Sequence, residues 1–512
     1  MNSNMTEQLD QLFRMWDRGL CPGAQVLIRQ HGKTLYEKCF GYGNLENKLK
    51  IHKESIFHVA SISKEFTVMS ILLLWKEGKL DLDDNIRKYL DEYINIETPI
   101  TIRQMMNNVS GLRDQWELLF LRGIKINDQI DMDDINTTIS LQKSLNFEPQ
   151  SQYLYSNTGF HLLALIVEKL SQMSFPQFVK ERIFTPLGMT HSFVRESFTQ
   201  IVPDLTYSYQ DEGDDTFYYN PLNYALYGPT SVNTCASDLC KVLDEYIHPN
   251  VIDPEIIELM KKPVLLSNGK TAEYCGGLIT HKLHGLDVFG HGGADAAYRG
   301  EIICIPEKEL ELVLISNTTT YAMSKLADKA ACIVLGLPDC TEPAVPEHEN
   351  APARGGVFLT ALPDDPMFVD ITEQNGTFYM QREWCRTALV KEKDGGYRIG
   401  SLDEKIYFTD NGILYRLPGR VLTLTPAKPT DPALFQEGTY YNDETDSFMK
   451  LVKTENTCEI HMRRYGKTTL YQSASGSIIF RMDANLIMYV KAENNTIIMD
   501  GGRVKHIIYQ KQ

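Results

Sequence analysis

The chain has 512 residues, a net charge of −16 at pH 7 and a hydrophobic fraction of 43%. This length predicts about three domains, and the composition is typical of globular proteins. The acidic balance excludes a nucleic-acid partner, which would need a basic face, and leaves small molecules or peptides as ligands. Because the sequence shows neither a signal peptide nor a stretch of transmembrane length, we expect a cytoplasmic protein without a membrane partner.

Ten cysteines are scattered along the chain, and no two of them form a Cys-x-x-Cys pair. Scattered thiols of this kind usually stay free and are buried as small apolar side chains. We therefore expect no disulfide framework, no metal site and no cofactor.

The first elements predict the start of an antiparallel sheet. Apolar residues at helical spacing from Leu9 to Leu20 indicate an amphipathic helix that ends near Gly19. Two strand-like runs, 24–30 and 34–40, follow and are joined by a short turn with Gly32. This arrangement is typical of a hairpin.

Ser61 is the candidate nucleophile. Lys64 follows three residues later, which places it on the same helix face as a base for the serine hydroxyl, and an apolar helix that ends at Gly78 comes next. The N-terminus of a helix also favours developing negative charge. Taken alone, the pattern favours a helix cap with a solvated lysine over a catalytic pair. The same spacing recurs at Ser140 and Lys143 without a buried helix behind it, and we interpret that copy as a surface coincidence.

Tyr155 and Asn157 form a second candidate motif, since they lie in a loop just before the strongly apolar helix 161–170. Upstream of it, Thr101 is expected to cap a short helix. Residues 113–146 have no clean period and are expected to be an irregular insert that shapes a substrate cleft.

His291 introduces the third motif, because it precedes the paired glycines Gly292 and Gly293 in a predicted strand, 288–295. Paired glycines in a strand indicate either a bulge or a close approach of the backbone to a ligand. By itself, His291 fits a structural turn as well as a functional role. Strands at 299–305 and 309–316 and a closing helix at 323–335 complete this region.

A change in composition marks the end of the first domain. A segment rich in proline and acidic residues is followed by short alternating runs with glycine turns, which is typical of an all-β region. Gly376-Thr377 and Gly438-Thr439 begin strands that look like a weak repeat of two small barrels. The predicted domains are 1–340, a linker at 341–354, a β-barrel at 355–427 and a second β-barrel at 428–512.

The three motifs in this order resemble the penicillin-recognising serine hydrolases, a superfamily that includes class C β-lactamases, D,D-peptidases, D-aminopeptidases and related esterases. The resemblance covers about residues 10–336. It implies an α+β fold, with a β-lactamase/transpeptidase-like catalytic domain made of an antiparallel sheet and an all-helical subdomain. Two small antiparallel β-barrels after this domain are the architecture of the D-aminopeptidase branch.

The resemblance also implies a role for each residue. Ser61 attacks a carbonyl carbon, Lys64 accepts its proton, and Tyr155 passes that proton to the leaving group. Asn157 binds the substrate, as does the strand that carries His291 and Gly293. The oxyanion lies between the N–H groups of Ser61 and Ala294.

His291 stands where the β-lactamases usually have the lysine of a Lys-Thr-Gly motif. A histidine is mostly neutral at pH 7, so β-lactamase or D,D-carboxypeptidase activity is expected to be weak at most. In the D-aminopeptidase branch a loop of the last barrel reaches into the cleft. We therefore expect an anchor for a substrate amine in the acidic turns between Ser473 and Gly502.

The leading interpretation is an acyl-enzyme serine peptidase or amidase that acts on small peptides with an N-terminal D-residue. One alternative keeps the same chemistry but acts on esters, and another is a catalytically silent binding protein. A cytoplasmic location argues against a role in cell-wall synthesis. The sequence leaves the oligomeric state open, with a homodimer as one option.

Overall fold

The computed structural model describes residues 3–211, 215–319, 322–339, 343–360, 367–381, 386–399, 404–417, 420–483 and 486–512. Eight cysteines in these ranges are free thiols, whereas Cys340 and Cys385 lie outside them. Residues 341 and 342 of the predicted linker also lie outside. No helix of the described ranges is long and apolar enough to cross a membrane.

A seven-stranded antiparallel sheet organises the first two thirds of the chain. In sheet order its strands are Tyr274–Cys275, Leu278–Leu283, Leu286–Asp295, Tyr298–Ile305, Leu310–Ser316, Ala24–Gln30 and Lys33–Phe40. The predicted hairpin is confirmed, and its first strand pairs with a strand nearly 300 residues later, since Ala24 lies opposite Ser316. The sheet therefore joins the two ends of this region.

Helices cover both faces of the sheet. Ser3–Leu12 and Met323–Leu335 pack on one face over an apolar cluster that includes Phe13 and Trp16. The other α-helices are Ser63–Lys76, Arg87–Leu90, Ile102–Met106, Gln115–Leu121, Met132–Ser140, Asn157–Ser171, Phe175–Val179, Ala236–Ile247 and Pro254–Lys261. Single turns of 3₁₀ or π helix lie at Arg14–Trp16, Ala60–Ile62, Asp91–Tyr93, Lys180–Phe184, Pro306–Lys308 and Pro432–Leu434.

Short strands complete the first region of the chain, which runs from the helix Ser3–Leu12 to the helix Met323–Leu335. They are Tyr42–Asn44 with Leu49–Lys50, Phe57–His58 with Val232–Thr234 and Phe193–Val194, Tyr209–Asp211 with Phe217–Tyr219, and Val264–Leu265 with Thr271–Ala272.

The central helix, Ser63–Lys76, is buried over most of its surface. A helix that is apolar on all sides belongs in the interior of a large domain. This one lies in the main apolar cluster together with the helix Asn157–Ser171. It ends where predicted, at Gly78, whose φ of +72° suits the turn after a helix.

The insert 113–146 differs from its prediction, because it contains the helices Gln115–Leu121 and Met132–Ser140. Capping stabilises both short helices: the side chain of Asp114 accepts from the N–H of Trp116, and Asp131 forms a capping box with Asp134. Helices this short give too few turns for a readable period. The predicted cap of the preceding helix, Thr101, is confirmed.

Two antiparallel β-structures follow, and they confirm the predicted fold class. The first is a closed barrel with strands Gly356–Thr360, Phe368–Gln374, Thr377–Gln381, Arg386–Lys391, Tyr397–Ile399, Lys405–Thr409, Gly412–Leu417 and Arg420–Pro426. The second, the last sheet, contains Lys428–Pro429, Gly438–Asn442, Ser447–Lys453, Cys458–Met462, Gly466–Thr469, Tyr471–Gln472, Ile478–Asp483, Leu486–Glu493, Thr496–Asp500 and Ile507–Lys511. The exact domain boundaries stay predictions.

Gly376 and Gly438 do not begin corresponding strands, contrary to the prediction. Gly438 begins the strand that pairs with the final strand of the last sheet, and Gly356 begins the strand that closes the barrel in the same way. Their φ angles are similar, +155° and +144°. Gly376 precedes the third strand of the barrel instead, so the spacing from Gly376 to Gly438 does not connect equivalent positions.

The last sheet is attached firmly to the first region. Leu118 and Leu121 of the helix Gln115–Leu121 are fully buried in the same apolar cluster as Met488 of the last sheet. The buried guanidinium of Arg113 donates to the carbonyl oxygens of Lys505 and His506, both at 3.1 Å. These contacts hold the loop 501–506, the last loop, against the first region.

Candidate active site

Ser61 lies in a single 3₁₀ turn, Ala60–Ile62, directly before the central helix. Ala60 precedes it with a φ of +48°, a left-handed conformation that costs free energy for a residue with a side chain. The turn presents Ser61 to a cleft of about 1270 Å³. Ser61 therefore has the exposure that a nucleophile needs.

Lys64 is fully buried, and its Nζ lies 2.9 Å from Ser61 Oγ. The same nitrogen donates to Asn157 Oδ1 and to the carbonyl oxygen of Pro229, both at 2.9 Å. Burial lowers the pKa of Lys64 well below its ordinary value; the charge of Asp114 opposes this effect and that of Arg503 adds to it. A neutral amine with two donated hydrogen bonds keeps its lone pair for the serine proton.

Tyr155 lines the cleft next to Ser61. Burial raises the pKa of Tyr155, although a hydrogen bond with Ser61 acts in the opposite direction. Lys64 Nζ lies 4.8 Å from the centre of its ring, and the ring of Tyr274 packs against it edge to face at 5.9 Å. The phenol thus keeps its proton and contacts both members of the Ser61–Lys64 pair.

Asn157 is the first residue of its helix, and Asp114 fixes its orientation. Asp114 Oδ2 accepts from the backbone N–H and from the side-chain Nδ2 of Asn157, both at 2.8 Å. The sequence interpretation missed this buried carboxylate. A signal for it exists, because an aspartate followed three residues later by Glu117 and an apolar run marks a helix start.

Gly293 and Ala294 lie near the end of the cleft strand, Leu286–Asp295. A Cβ on Gly293 would lie 2.3 Å from the carbonyl oxygen of Val59 and 3.3 Å from the Cβ of Ala60. The predicted close backbone approach is therefore found, although the partner is the serine turn of this chain. Ala294 and Ser61 both line the cleft, as an oxyanion hole made of their N–H groups requires.

His291 is almost completely buried in the same strand. Its Nε2 lies 3.2 Å from the hydroxyl of Tyr274, and its Nδ1 lies 2.5 Å from the carbonyl oxygen of Gly292. Burial, with a smaller contribution from the charge of Lys64, lowers the pKa of His291 to about 3. A neutral imidazole cannot supply the cation that a lysine provides at this position in the β-lactamases.

Asp295 ends the cleft strand and was not predicted from the sequence. Its Oδ2 lies 3.0 Å from His58 Nε2 and accepts from the hydroxyl of Thr230 at 2.9 Å, while its Oδ1 accepts from Tyr224. Burial alone would raise the pKa of Asp295, but these hydrogen bonds, with that from His58 the strongest, lower it. Both carboxylate oxygens are thus already used within the protein.

The last loop enters the cleft, as the resemblance led us to expect, and it brings Arg503. The backbone N–H of Arg503 donates to both carboxylate oxygens of Glu117, at 3.0 and 2.9 Å. Its guanidinium carbon lies 4.8 Å from the centre of the Tyr155 ring. The expected acidic anchor is not found: of the described side chains between residues 473 and 502, no acidic one lines the cleft.

The second Ser-x-x-Lys copy, Ser140 and Lys143, does not line the cleft. Ser140 ends the helix Met132–Ser140, and its hydroxyl donates to the carbonyl oxygen of Thr137. The exposed Lys143 pairs with Asp443 at 2.6 Å. This copy provides a natural control for the active pair.

One group of described residues has the atoms for a metal site, namely His191, Cys235 and Asp238, whose ligand atoms lie within 4.8 Å of one another. The carboxylate of Asp238 already accepts from Ser192 Oγ and from the N–H of His191, and it pairs with Lys241. These contacts give Asp238 a structural role.

Comparison with known proteins agrees with the geometry. A family model described as Beta-lactamase matches residues 8–333. Penicillin-binding protein 4* of Bacillus subtilis (strain 168) is 29% identical over 431 residues, which cover 80% of this chain and 95% of the relative. A D-aminopeptidase of Gluconobacter oxydans (strain 621H) is 28% identical over 381 residues, covering 74% of this chain and 66% of the relative.

A solved structure extends the likeness in fold to the C-terminal part of the chain. The octameric penicillin-binding protein homologue from Pyrococcus abyssi aligns with a TM-score of 0.58 and 20% identity, over 91% of this chain and the whole of that one.

Proposed function

The chain belongs to the beta-lactamase family of serine hydrolases, and from that premise we propose that it is a peptidase or amidase of small peptides that forms an acyl-enzyme on Ser61. The observation that carries the proposal is the 2.9 Å contact between Ser61 Oγ and the buried amine of Lys64. A serine needs such a neutral base within hydrogen-bond reach to attack a carbonyl group at neutral pH.

Acylation begins when Lys64 accepts the proton of Ser61 while the serine oxygen attacks the carbonyl carbon. The N–H groups of Ser61 and Ala294 stabilise the negative charge that develops on the carbonyl oxygen. Tyr155 contacts Ser61 and can pass the proton to the leaving amine. Loss of the amine leaves an ester on Ser61.

Deacylation uses the same groups in the reverse direction. Water attacks the ester carbonyl, Tyr155 relays the water proton to Lys64, and Lys64 returns that proton to the serine oxygen as the ester bond breaks. The side chain of Asn157 can bind the substrate beside the acylated carbon, in an orientation that Asp114 sets. Rotation of Asn157 would weaken this contact, so Asp114 acts as a positioning residue.

The D-aminopeptidase relative supports a substrate with an N-terminal D-residue. It is similar to 74% of this chain at 28% identity, but it is matched over only 66% of its own length. The choice of a D-residue is therefore part of the proposal.

Ester hydrolysis is the second candidate, and the neutral His291 favours it. Without a cation on the cleft strand, a substrate does not need a negatively charged group to bind there. The same acyl-enzyme chemistry also cleaves esters. The cleft is also lined by aromatic side chains, which suit an apolar acyl group: Trp116, Phe120 and Tyr224.

Two assays separate these functions. A fluorophosphonate probe followed by mass spectrometry should place an adduct on Ser61, and its absence would indicate a silent binding protein instead. Hydrolysis of D-alanine p-nitroanilide is then compared with that of L-alanine p-nitroanilide and of p-nitrophenyl acetate and butyrate. Cleavage of the D-anilide supports the peptidase, whereas cleavage of the esters alone would make the chain an esterase.

A further inference from the structure

Arg503 belongs to the last loop, outside the first region, and it lines the cleft. Its guanidinium lies over the ring of Tyr155, with 4.8 Å between the guanidinium carbon and the ring centre, and the hydroxyl of that ring contacts Ser61. The side chain keeps 43% of its surface exposed. A bound substrate near Ser61 therefore comes within reach of this cation.

The backbone of Arg503 is clamped from both sides. Its N–H donates to Glu117, and its carbonyl oxygen accepts from Asn146 Nδ2 at 3.0 Å and from the N–H of Asp114 at 3.1 Å. Main-chain contacts of this kind fix the origin of the side chain without using its donors. The arginine is thus placed before any ligand arrives, which lowers the entropic cost of binding.

The guanidinium itself is largely without partners. Within the described residues its one ion pair is a distant contact, 4.0 Å from Nη1 to Asp114 Oδ2, and no hydrogen bond of the side chain is found. An arginine offers five N–H donors in a planar fork that matches a carboxylate. The donors at Nε and Nη2 are therefore available to a ligand.

Other cations at the cleft are already used. Arg299 Nη1 donates to the carbonyl oxygens of Ala296 and Tyr298, at 3.0 and 2.7 Å. Arg386 of the barrel stacks on Tyr379 at 4.2 Å and hydrogen-bonds with Gln374. Lys64 is fully buried against the nucleophile.

Asp295 shows the opposite situation for a cationic ligand. It lines the same cleft, but His58, Thr230 and Tyr224 already occupy its carboxylate. A substrate amine would have to compete with these three groups, whereas a substrate carboxylate finds open donors on Arg503. Glu301 also lines the cleft, but burial raises the pKa of its carboxyl to about 8, which favours the neutral acid at pH 7. Arg503 therefore favours an anionic group.

We propose that Arg503 is the specificity-determining residue of the cleft and binds a carboxylate of the substrate, in place of the cation that His291 does not supply. This inference rests on the proposed function, because it names the class of peptide that the serine site accepts. The carboxylate comes either from the C-terminus of a short peptide, on the leaving-group side, or from an acidic acyl residue.

Two pairs of compounds test the proposal on the full chain. D-alanyl-D-alanine against D-alanyl-D-alaninamide places the carboxylate on the leaving group. The α-p-nitroanilides of D-glutamic acid and D-glutamine place it on the acyl residue. For each pair the ratio of kcat/KM values, acid over amide, is measured in the parent protein, Arg503→Gln and Arg503→Lys.

Using this ratio removes effects on the shared acylation chemistry. We expect the parent to favour the acid in one pair, and Arg503→Gln to lower the ratio roughly 10- to 100-fold, the range for a hydrogen-bonded charge pair. Arg503→Lys should retain part of the preference, because it keeps the charge but loses the fork. The control is Arg464→Gln, which removes another arginine of the last sheet, one that pairs with Asp128 and does not line the cleft.

A binding measurement separates failure of this inference from failure of the proposed function. Each compound is tested for protection of Ser61 against the fluorophosphonate probe, which requires no peptide cleavage. Protection by an acid but not by its amide, lost in Arg503→Gln, supports the anchor even if neither compound is hydrolysed. The proposal is overturned if both ratios and both protection patterns are unchanged by Arg503→Gln, or if no acid is preferred by the parent protein.

Discussion

Gly293 meets Val59 so closely that a Cβ on the glycine would lie 2.3 Å from the carbonyl oxygen of Val59. Val59 and the strained Ala60 lead directly into Ser61. Because Gly293 has no side chain, the strand that carries Ala294 can pack directly against the turn that carries the nucleophile.

Gly293→Ala should consequently disturb the oxyanion hole. We expect acylation by the fluorophosphonate probe to slow at least about 100-fold, the effect of losing one oxyanion donor. Gly292→Ala is the matched control, because the atom closest to a Cβ there is Oε2 of the Glu301 side chain, at 2.8 Å, and the nearest backbone atom, the oxygen of Gly300, lies at 3.7 Å. Similar rates in the two variants would argue that the close approach of Gly293 is irrelevant to catalysis.

The Ser61–Lys64 pair can be compared with its copy in the same chain. Ser61→Ala should abolish the adduct while circular dichroism and thermal unfolding remain those of the parent, because the hydroxyl faces the cleft. Lys64→Ala should slow acylation by about 10²- to 10⁴-fold, as expected for loss of a positioned base. Ser140→Ala and Lys143→Ala should have no effect, and a Lys64 variant that acylates at the parent rate would exclude Lys64 as the base.

Asp114 is expected to act through Asn157. Asp114→Asn removes an acceptor that takes two hydrogen bonds from Asn157 and should lower kcat/KM by roughly 10- to 100-fold. Because Asp114 also caps a helix, Asp131→Asn serves as the control, since Asp131 caps the neighbouring helix away from the cleft. Equal losses in the two variants would reduce the role of Asp114 to capping.

The pH dependence of labelling should report on Lys64. The neutral amine is the active form, so the rate should rise as the pH increases through the pKa of Lys64 and level off below the ordinary lysine value of 10.5. The charge of Arg503 lowers this pKa and that of Asp114 raises it. Arg503→Gln should therefore move the rise to higher pH, and Asp114→Asn should move it to lower pH. Shifts in the same direction would contradict the assignment.

Much of the first region could be predicted because its signals are local. The hairpin, the central helix with its glycine end and the closing helix are long enough for a clear period or bounded by a turn residue. The spacing from Ser61 to Lys64 also lies within one helix turn, so sequence alone relates the two side chains.

Contacts across the fold could not be predicted in the same way. Asp114 meets Asn157 only because a capped helix packs beside the next motif, and Asp295 meets His58 across the cleft. The position of Arg503 is even harder to predict from the sequence, because it depends on the burial of Leu118 and Leu121 in the core of the last sheet. A sequence pattern within one segment does not predict how that segment packs against distant ones.

The arrangement of Arg503 has a consequence for how such an enzyme can change over generations. The residues that break the bond lie between positions 61 and 294, whereas the residue that we propose selects the substrate is encoded more than 200 codons later. A mutation in the last loop can then alter what is cleaved without touching the groups that cleave it. New preferences can arise by exchange of one short gene segment, while the older chemistry is inherited intact.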